Sequence, residues 1–201
     1  MTATESPRRR GPYAKTAERR EQIIDEAYRL FATRGFHGSS LREVASAAGM
    51  SQSNLLHHFA SKEDLLLAVL ARRDEFAGTD LSNSHGSAFD ENIVAQADSN
   101  ESVPGLIALY SVLSAEATTE GHPGRKYFLA RYRTMQTGYE REFDALRQAG
   151  RLRDGVDPEV AAACVIALWE GIQLRWLYEP DRVHSGEALR AYLDLVILPT
   201  R

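Results

Sequence analysis

The stretch "IIDEAYRLFATRGFHGSSLREVASAAGMSQSNLLHHFASKEDLL", residues 23–66, contains the signals that decide the fold. Its first part has the apolar spacing of one helix face, given by Ile23, Ile24, Ala27, Leu30 and Phe31. Gly35 follows this pattern as a helix stop. We therefore expect the stretch to begin within a helix that covers about residues 16–33.

Shorter helices are predicted in the rest of the stretch. Ser40 with Glu43 three residues later has the pattern of a capping box, which opens a second helix that Gly49 ends. Ser51 and Ser61 stand at the cap positions of a third and a fourth helix. Two short helices joined by a tight glycine turn are typical of a helix-turn-helix unit, whose second helix enters the major groove of DNA.

The remainder of the chain also shows helix signals and no convincing strand. Residues 77–88 are polar and rich in Gly and Ser, which indicates a flexible connection. Further helices are predicted over about residues 89–98, 104–117, 125–148, 158–177 and 185–197. We expect an all-α protein with a basic disordered arm (1–15), a three-helix DNA-binding domain (16–62) and a helical-bundle body (63–201).

Charge is distributed unevenly along the 201 residues, whose net charge is −4. Residues 8–62 carry +5 and residues 63–201 carry −8. A basic end on an acidic body is expected when one end touches a polyanion, although a chance asymmetry would look the same. The single cysteine, Cys164, lies in the apolar run "AAACVIALW", which predicts a buried, inert thiol.

The third helix carries polar side chains that its packing does not need. Leu55 and Phe59, four residues apart, are expected to face the core, which leaves a polar set of Gln52, Ser53, Asn54, His57 and His58. Short and amide side chains at the start of a helix suit base edges in the major groove. Lys62 begins the next helix, whose first backbone N–H groups could hold a phosphate oxygen. The alternative is a merely solvated face.

Three ordered motifs in this stretch resemble the DNA-binding domain of the TetR family of bacterial transcription regulators. They are A-x-x-L-F-x-x-x-G-F from Ala27, L-x-x-V-A-x-x-A-G from Leu41 and H-H-F-x-S-K-E-x-L from His57. The resemblance covers about a quarter of the chain, from Glu18 to Leu70. The remainder is similar to the helical ligand-binding and dimerisation body of this family in its helix pattern alone.

The resemblance implies roles for individual residues of the DNA-binding domain. Gln52, Ser53 and Asn54 match positions that commonly read bases. Backbone phosphates are commonly contacted from the positions of Ser40, Arg42, His58 and Lys62, and we add His57 to this DNA-binding set, although it could simply lie against the domain surface. A tyrosine that usually contacts phosphate is replaced by Leu56.

The basic arm could recover the affinity lost with that tyrosine. Its cations are Arg8, Arg9, Arg10 and Lys15. A basic arm can enter the minor groove of DNA, and the alternative is a solubilising tail.

The body is expected to dimerise and to sense a ligand. Dimerisation through the last two helices is predicted for Ile172, Trp176, Leu189, Tyr192, Leu193 and Val196. A cavity for a moderately polar organic effector is predicted from Tyr110, Leu113, Glu116, Phe128, Arg131, Tyr132, Met135 and Trp169. Ordinary core packing is the alternative for both sets, and Arg131 could also pair with Glu116.

Several other functions find little support in the sequence. No nucleotide-binding, zinc-protease or nucleophile-elbow motif appears, so we expect neither an enzyme nor a cofactor. His57 and His58 are adjacent and point about 100° apart on a helix, which disfavours a shared metal ion. No apolar stretch approaches the roughly 18 residues of a membrane span, and the amino terminus lacks the apolar segment of a secretory signal. We therefore expect a cytoplasmic protein without a membrane partner.

Together these features predict a homodimeric repressor that binds a palindromic operator in double-stranded DNA and is released by a small organic effector. Two alternatives stay open at this point. One is a DNA-binding regulator without a small-molecule effector, and the other is an activator, since that distinction depends on where the operator lies.

Overall fold

The computed structural model describes residues 12–76 and 89–199, and within these two ranges the chain forms helices and no strand. The helices are α1 (Pro12–Arg34), α2 (Leu41–Ala47), α3 (Gln52–Leu56), α4 (Lys62–Phe76), α5 (Phe89–Asn100), α6 (Pro104–Glu116), α7 (Arg125–Gln148), α8 (Pro158–Tyr178) and α9 (Ser185–Val196). The predicted all-α class is confirmed. We refer to α1–α4 as the head and to α5–α9 as the body.

The caps predicted at the helix starts of the head are present as side-chain hydrogen bonds. The Ser40 hydroxyl accepts from the backbone N–H of Glu43, while the Glu43 carboxylate accepts from the backbone N–H of Ser40, which completes the capping box. Ser51 accepts from Asn54 N–H at the start of α3, and Ser61 caps α4 in the same way. These caps satisfy N–H groups that would otherwise lack partners at each helix start.

Two boundaries in the head differ from the prediction. α1 begins at Pro12 rather than near residue 16, so the last residues of the predicted arm belong to a helix, and proline is favoured at a first helical position. α3 ends at Leu56 rather than near residue 58 because the backbone N–H groups of the next two residues bond to carbonyls only three residues back. The predicted connection 77–88 lies outside the described residues.

One apolar core joins the head to the body. It contains Leu55 and Phe59 near α3, Phe31 of α1 and Leu66 of α4, and it continues without interruption to Leu113 of α6. α6 therefore packs against the head as well as against the rest of the body.

A second core lies between α5, α7, α8 and α9. Phe89, Phe143 and Leu189 are buried at its centre. α8 is long and apolar enough to cross a membrane by length and composition, which the sequence analysis did not anticipate, with a mean hydropathy of 1.4. One side of α8, including Val165 and Trp169, packs into this second core, as in the core helix of a globular protein.

Candidate nucleic-acid interface and effector site

The outward face of α3 brings the predicted base-reading residues together. Gln52, Ser53 and Asn54 occupy its first turn, and all of them are exposed, as is His57 at its end. The opposite side of α3 is fixed by Leu55, which is completely buried in the head. The arrangement presents four polar side chains to solvent on a helix with a single inward anchor.

Arg20 of α1 holds the end of α3 in place. Its guanidinium lies over the Phe59 ring at 4.1 Å from the centroid, and its Nη1 donates to the backbone carbonyl of His58 at 3.0 Å. A cation that contacts both the ring and the carbonyl fixes the direction of the segment after α3. Sequence reasoning missed this residue because the two contacts join positions 38 residues apart.

The predicted phosphate-contacting residues differ in how accessible they are. Ser40 and Arg42 are exposed at the start of α2, although the Ser40 hydroxyl already serves the capping box. His58 and Lys62 are half-buried. Arg8, Arg9 and Arg10 of the predicted arm lie outside the described residues, and Lys15 lies within α1.

Lys62 packs against an aromatic ring at the first residue of α4. Its Nζ lies 4.3 Å from the centroid of the Phe36 ring, and burial lowers the pKa of its ammonium group. Glu63, Glu116 and Glu43 oppose that shift by favouring the charged form. Lys62 therefore stands at the helix start as expected, with its stem directed by Phe36.

Glu116, predicted as an effector residue, contacts the head from the end of α6. Its carboxylate accepts a hydrogen bond from the backbone N–H of Phe36 at 2.6 Å, so it ties the end of α6 to the turn after α1. Gly35 has a positive φ of +70°, and a Cβ there would lie 2.3 Å from the carboxylate. We call this contact between Gly35, Phe36 and Glu116 the head–body clasp.

His122 is buried beside the head–body clasp. Its Nδ1 accepts from the backbone N–H of Gly124 at 3.1 Å, and its Nε2 lies 4.0 Å from the Glu116 carboxylate. The His37 ring lies against it at 5.3 Å between centroids. Burial is the main cause that lowers the pKa of His122, and His37 acts in the same direction while Glu116 opposes it. The neutral form therefore fits the bond from Gly124, because a protonated Nδ1 could not accept it.

We expect the stability of the protein to fall as the pH drops through the range in which His122 titrates. Since the folded pKa is lowered, the unfolded chain binds a proton more readily from about pH 6.5 downward, and the free energy of unfolding must decrease there. Urea denaturation between pH 7.5 and 5 measures this slope.

The matched comparison for this pH effect uses two substitutions. His122→Asn keeps an acceptor near the position of Nδ1 and cannot titrate, so the slope should become shallower. His57→Asn replaces an exposed histidine and should leave the slope of stability against pH unchanged. Equal slopes in the wild type and His122→Asn would contradict the assignment.

A polar cluster in the body contains some of the predicted effector residues. Tyr132 of α7 lies near Tyr110 of α6 and Glu170 of α8. The Arg131 guanidinium lies over the Tyr110 ring at 5.4 Å from the centroid. Burial raises the pKa of Tyr110 and Tyr132, so both hydroxyls stay protonated donors near neutral pH. We call Tyr110, Arg131, Tyr132 and Glu170 the tyrosine cluster.

The tyrosine cluster borders a groove between α7 and α8. The groove has a volume of about 630 Å³, and its walls include Tyr132, Gln136, Ile166 and Glu170. Of the predicted effector residues, Tyr132 alone is among its lining residues. Sequence reasoning missed Glu170 because a single carboxylate within an apolar helix has no distinguishing spacing.

The other predicted effector residues lie in cores. Leu113 and Phe128 are buried in the core shared by head and body. Trp169 is buried in the second core, where Met135 packs against it from a half-buried position. These four side chains fill space between helices, which corresponds to the alternative of ordinary core packing.

The predicted dimerisation residues are largely turned inward. Leu189, Leu193 and Trp176 are buried within their own chain, and a side chain used in that way is not available to a partner. Ile172, Tyr192 and Val196 are half-buried. Because α8 is apolar on several sides, periodicity alone could not tell its inner side from its outer side.

A different apolar surface is exposed on the same two helices. It is formed by Val160, Cys164, Leu174 and Tyr178 of α8 and by Leu195 of α9, and we call it the outer face. Leu195 and Tyr178 are 70% and 81% exposed. Cys164 was predicted to be buried, and it is exposed because it lies on this side of α8. Burial is the main cause that raises the pKa of Tyr192 to about 12, and the neighbouring Cys164 acts in the same direction.

Within residues 12–76 and 89–199, no group of three or more His, Cys, Asp or Glu side chains is placed so that it could hold a metal ion.

Two family models match separate parts of the chain. Residues 23–69 match the model described as bacterial regulatory proteins, tetR family. Residues 112–197 match the model of the carboxyl-terminal part of BetI-type transcriptional repressors. Together they cover the head from α1 to α4 and the body from the end of α6 to α9.

Curated relatives match about a third of the chain in sequence. The transcriptional activator FasR of Mycolicibacterium smegmatis is 44% identical over 64 residues, 32% of this chain and 29% of FasR. The repressor AcnR of Corynebacterium glutamicum is 42% identical over 60 residues, 30% of this chain and 31% of AcnR. The chain thus aligns with less than a third of the length of each of these relatives.

A solved structure resembles nearly the whole chain. SmeT is the repressor of a multidrug efflux pump of Stenotrophomonas maltophilia, and it superimposes with a TM-score of 0.70 at 21% identity. The match covers 89% of this chain and 90% of SmeT. SmeT has also been solved as a complex with triclosan, which matches with a TM-score of 0.72 at 20% identity and covers 90% of this chain and 92% of that one. At this identity the likeness establishes the shared fold.

Proposed function

The chain belongs to the TetR family of bacterial transcription regulators, and from this premise we propose that it is a cytoplasmic, homodimeric repressor that releases its DNA operator when a small organic effector binds. The proposal is that of a regulator rather than an enzyme. The observation that carries it is the first turn of α3, where Gln52, Ser53 and Asn54 are exposed together on a helix anchored from behind by Leu55.

The surroundings of α3 support binding in the major groove. A recognition helix places the residues of its first turn near base edges, and amide and hydroxyl side chains can both donate and accept hydrogen bonds there. Lys62 at the start of α4 and Arg42 in α2 flank this helix in sequence and offer cations to the two sides of a groove. Leu56 is 41% exposed at the end of α3 and supplies an apolar contact where the family usually has tyrosine.

The outer face supports homodimer formation. Single exposed apolar side chains are common on proteins. Here the four outer-face residues of α8 recur at helical spacing on one side of that helix, and Leu195 is exposed on α9, which packs against α8. A twofold axis through this surface would pair α8 and α9 with their copies in a four-helix arrangement. Two heads related by such an axis match a palindromic operator.

The tyrosine cluster and its groove support effector binding in the body. Tyr132 and Glu170 line the groove beside apolar side chains such as Ile166. Arg131 lies over the ring of the neighbouring Tyr110. This combination suits an organic molecule with one or two polar groups. SmeT, which shares this fold, has been solved as a complex with triclosan, and a related response in this chain would shift the equilibrium between operator-bound and free dimer.

The test is selection of bound sequences from a random duplex pool, followed by titration of the selected DNA at several salt concentrations. We expect a palindrome whose binding weakens steeply with salt, because phosphate contacts release counterions. A dimer that enriches no sequence at low salt would contradict the assignment of α3. If the protein binds a palindrome but no compound in a panel of organic molecules changes that binding, the DNA-binding part of the proposal stands and the effector part is contradicted.

Two substitutions should separate base reading from phosphate contact. Asn54→Ala is expected to weaken binding by about 1–3 kcal/mol at particular base pairs and to relax the preference there. Lys62→Ala should weaken binding about equally across sequences and reduce the salt slope by about 1 per half-site.

The comparison is made by competition titrations on operator variants. Arg141→Ala serves as the control, since Arg141 is an exposed cation on α7 of the body. Equal losses on all sequences for Asn54→Ala would contradict its role in base reading.

A further inference from the structure

A second cavity lies where the head meets the body, and it shares no lining residue with the groove beside the tyrosine cluster. Its volume is about 400 Å³. The head contributes residues of α1 and α4 to its wall, and the body contributes the end of α5 and the start of α6. Native cores rarely leave voids much larger than a water molecule, whereas pockets for small molecules begin at about 300 Å³.

The wall of this junction cavity combines an apolar part with neutral hydrogen-bonding groups. Ile24, Val69 and Leu106 are buried side chains that form the apolar part. Gln96 and Asn100 of α5 add carboxamides, and the Gln96 Nε2 donates to the Asn100 Oδ1 at 3.1 Å. Such a wall favours a mostly apolar molecule that carries a few polar atoms.

Tyr28 adds a hydroxyl at the contact between α1 and α6. Burial raises the pKa of this hydroxyl, so it stays protonated near neutral pH and can donate a hydrogen bond. A Cβ at Gly105 would lie 3.0 Å from the Tyr28 Oη, so the start of α6 approaches this hydroxyl closely. The cavity is therefore bordered by a contact that depends on how α1 and α6 are spaced.

The charged residues of the wall already neutralise each other. The Arg72 Nη1 lies 2.7 Å from the Asp25 Oδ1 and 3.3 Å from the Glu21 Oε2. A charged ligand would have to compete with these ion pairs for its counter-charge, whereas an uncharged one would leave them intact.

We propose that the junction cavity is a binding site for an uncharged, largely apolar organic molecule that contacts α1 and α4 of the head and α5 and α6 of the body at once. The regulatory part of this proposal rests on the proposed function. A molecule held between head and body binds more tightly to one spacing of α1 and α6 than to another, and its occupancy therefore alters the affinity for DNA.

The position of the junction cavity relative to the head–body clasp explains how a molecule bound there could change the affinity for DNA. α6 contacts the head near its first turn, at Gly105 and Tyr28, and again at its last residue, where Glu116 holds Phe36. The clasp fixes one end of the contact. A ligand in the junction cavity acts on the other end, so it can tilt α1, and with it the helix-turn-helix, about the clasp.

The test uses N-phenyl-1-naphthylamine, an uncharged dye whose fluorescence rises in apolar surroundings. We expect saturable binding of one dye per chain to the full-length protein without DNA. Ser99→Trp places an indole at the exposed edge of the cavity and should weaken dye binding at least tenfold. Tyr28→Phe removes the hydroxyl while keeping the ring and should weaken it by a smaller factor of about three.

Matched variants show whether the dye occupies this cavity. Ala95→Trp adds the same indole to an exposed position of α5 outside the cavity wall and should leave dye binding unchanged. Thr137→Trp blocks the groove beside the tyrosine cluster and should also leave it unchanged. Absence of dye binding, equal loss in Ser99→Trp and Ala95→Trp, or loss in Thr137→Trp alone would overturn the proposal.

The proposed effect of the bound molecule on DNA affinity is measured in a separate experiment. Saturating dye should change the affinity for the selected operator at least fivefold, and this change should disappear in Ser99→Trp. Dye binding that is lost in Ser99→Trp, together with an unchanged DNA affinity, would support the site and overturn the coupling. Failure of the protein to select any DNA would overturn the proposed function while the fluorescence result for the site still stands.

Discussion

Gly35→Ala is expected to lower the free energy of unfolding by about 2.5–5 kcal/mol. A non-glycine residue at a φ of +70° costs about 1–2 kcal/mol. The new Cβ would also meet the Glu116 carboxylate, so the carboxylate must move and its hydrogen bond with the Phe36 N–H is lost. A hydrogen bond to a charged group contributes about 1.5–3 kcal/mol. Urea denaturation followed by circular dichroism measures the change.

Gly150→Ala is a closely matched control for this substitution. Gly150 has a φ of +68°, and nothing lies within 4 Å of the position that a Cβ would take. It should therefore show the backbone cost alone, about 1–2 kcal/mol. When Gly35→Ala is added to a Glu116→Ala variant, the free energy of unfolding should fall only by the backbone cost of about 1–2 kcal/mol, because the side chain that would clash is absent. Equal losses for Gly35→Ala and Gly150→Ala in the wild type would show that the clasp contributes nothing to stability.

Leu174→Glu should dissociate the dimer, with a rise in the dimer dissociation constant of at least a hundredfold. Leu174 is 48% exposed on the outer face of the single chain. A twofold axis would bury two added carboxylates in one apolar interface, and removing an unpaired charge from water costs several kcal/mol. Sedimentation velocity over a range of protein concentrations measures the constant. Affinity for the palindromic operator should fall along with the dimer, because one head alone contacts a half-site.

The control for this second substitution is Leu67→Glu. Leu67 lies on α4 of the head and is 46% exposed, so the same change is made at nearly the same exposure away from the outer face. Its sedimentation should match that of the wild type. Dissociation constants that are equal for Leu174→Glu and the wild type would place the dimer interface elsewhere on the chain.

The fold could be predicted from local signals because most helix boundaries are set locally. Pro104 opens α6 as expected, and α7 has the predicted bounds, Arg125–Gln148. The capping box of Ser40 and Glu43 likewise involves only neighbouring residues. Proline geometry, glycine conformations and side-chain caps all act within a few residues, so sequence reasoning reaches them.

The candidate sites could be predicted in part. Exposure of Gln52, Ser53 and Asn54 followed from the inward spacing of Leu55 and Phe59. The role of Glu116 did not follow, because its partner Phe36 lies 80 residues away in the chain. The inward direction of Leu189 and Leu193 was also missed, since an apolar residue has the same character whether it packs against its own chain or against a second copy. These features depend on how helices are placed relative to each other.

The shortness of α3 has an evolutionary consequence. With five residues the helix could not persist in water alone, so its shape is imposed by Leu55, by Arg20 and by the caps at its ends. Gln52 and Ser53 take no part in those contacts, and exposed positions of this kind tolerate exchange at small cost in stability. Exchange of these two residues during evolution can therefore change the base preference that we propose for α3 without destabilising the fold.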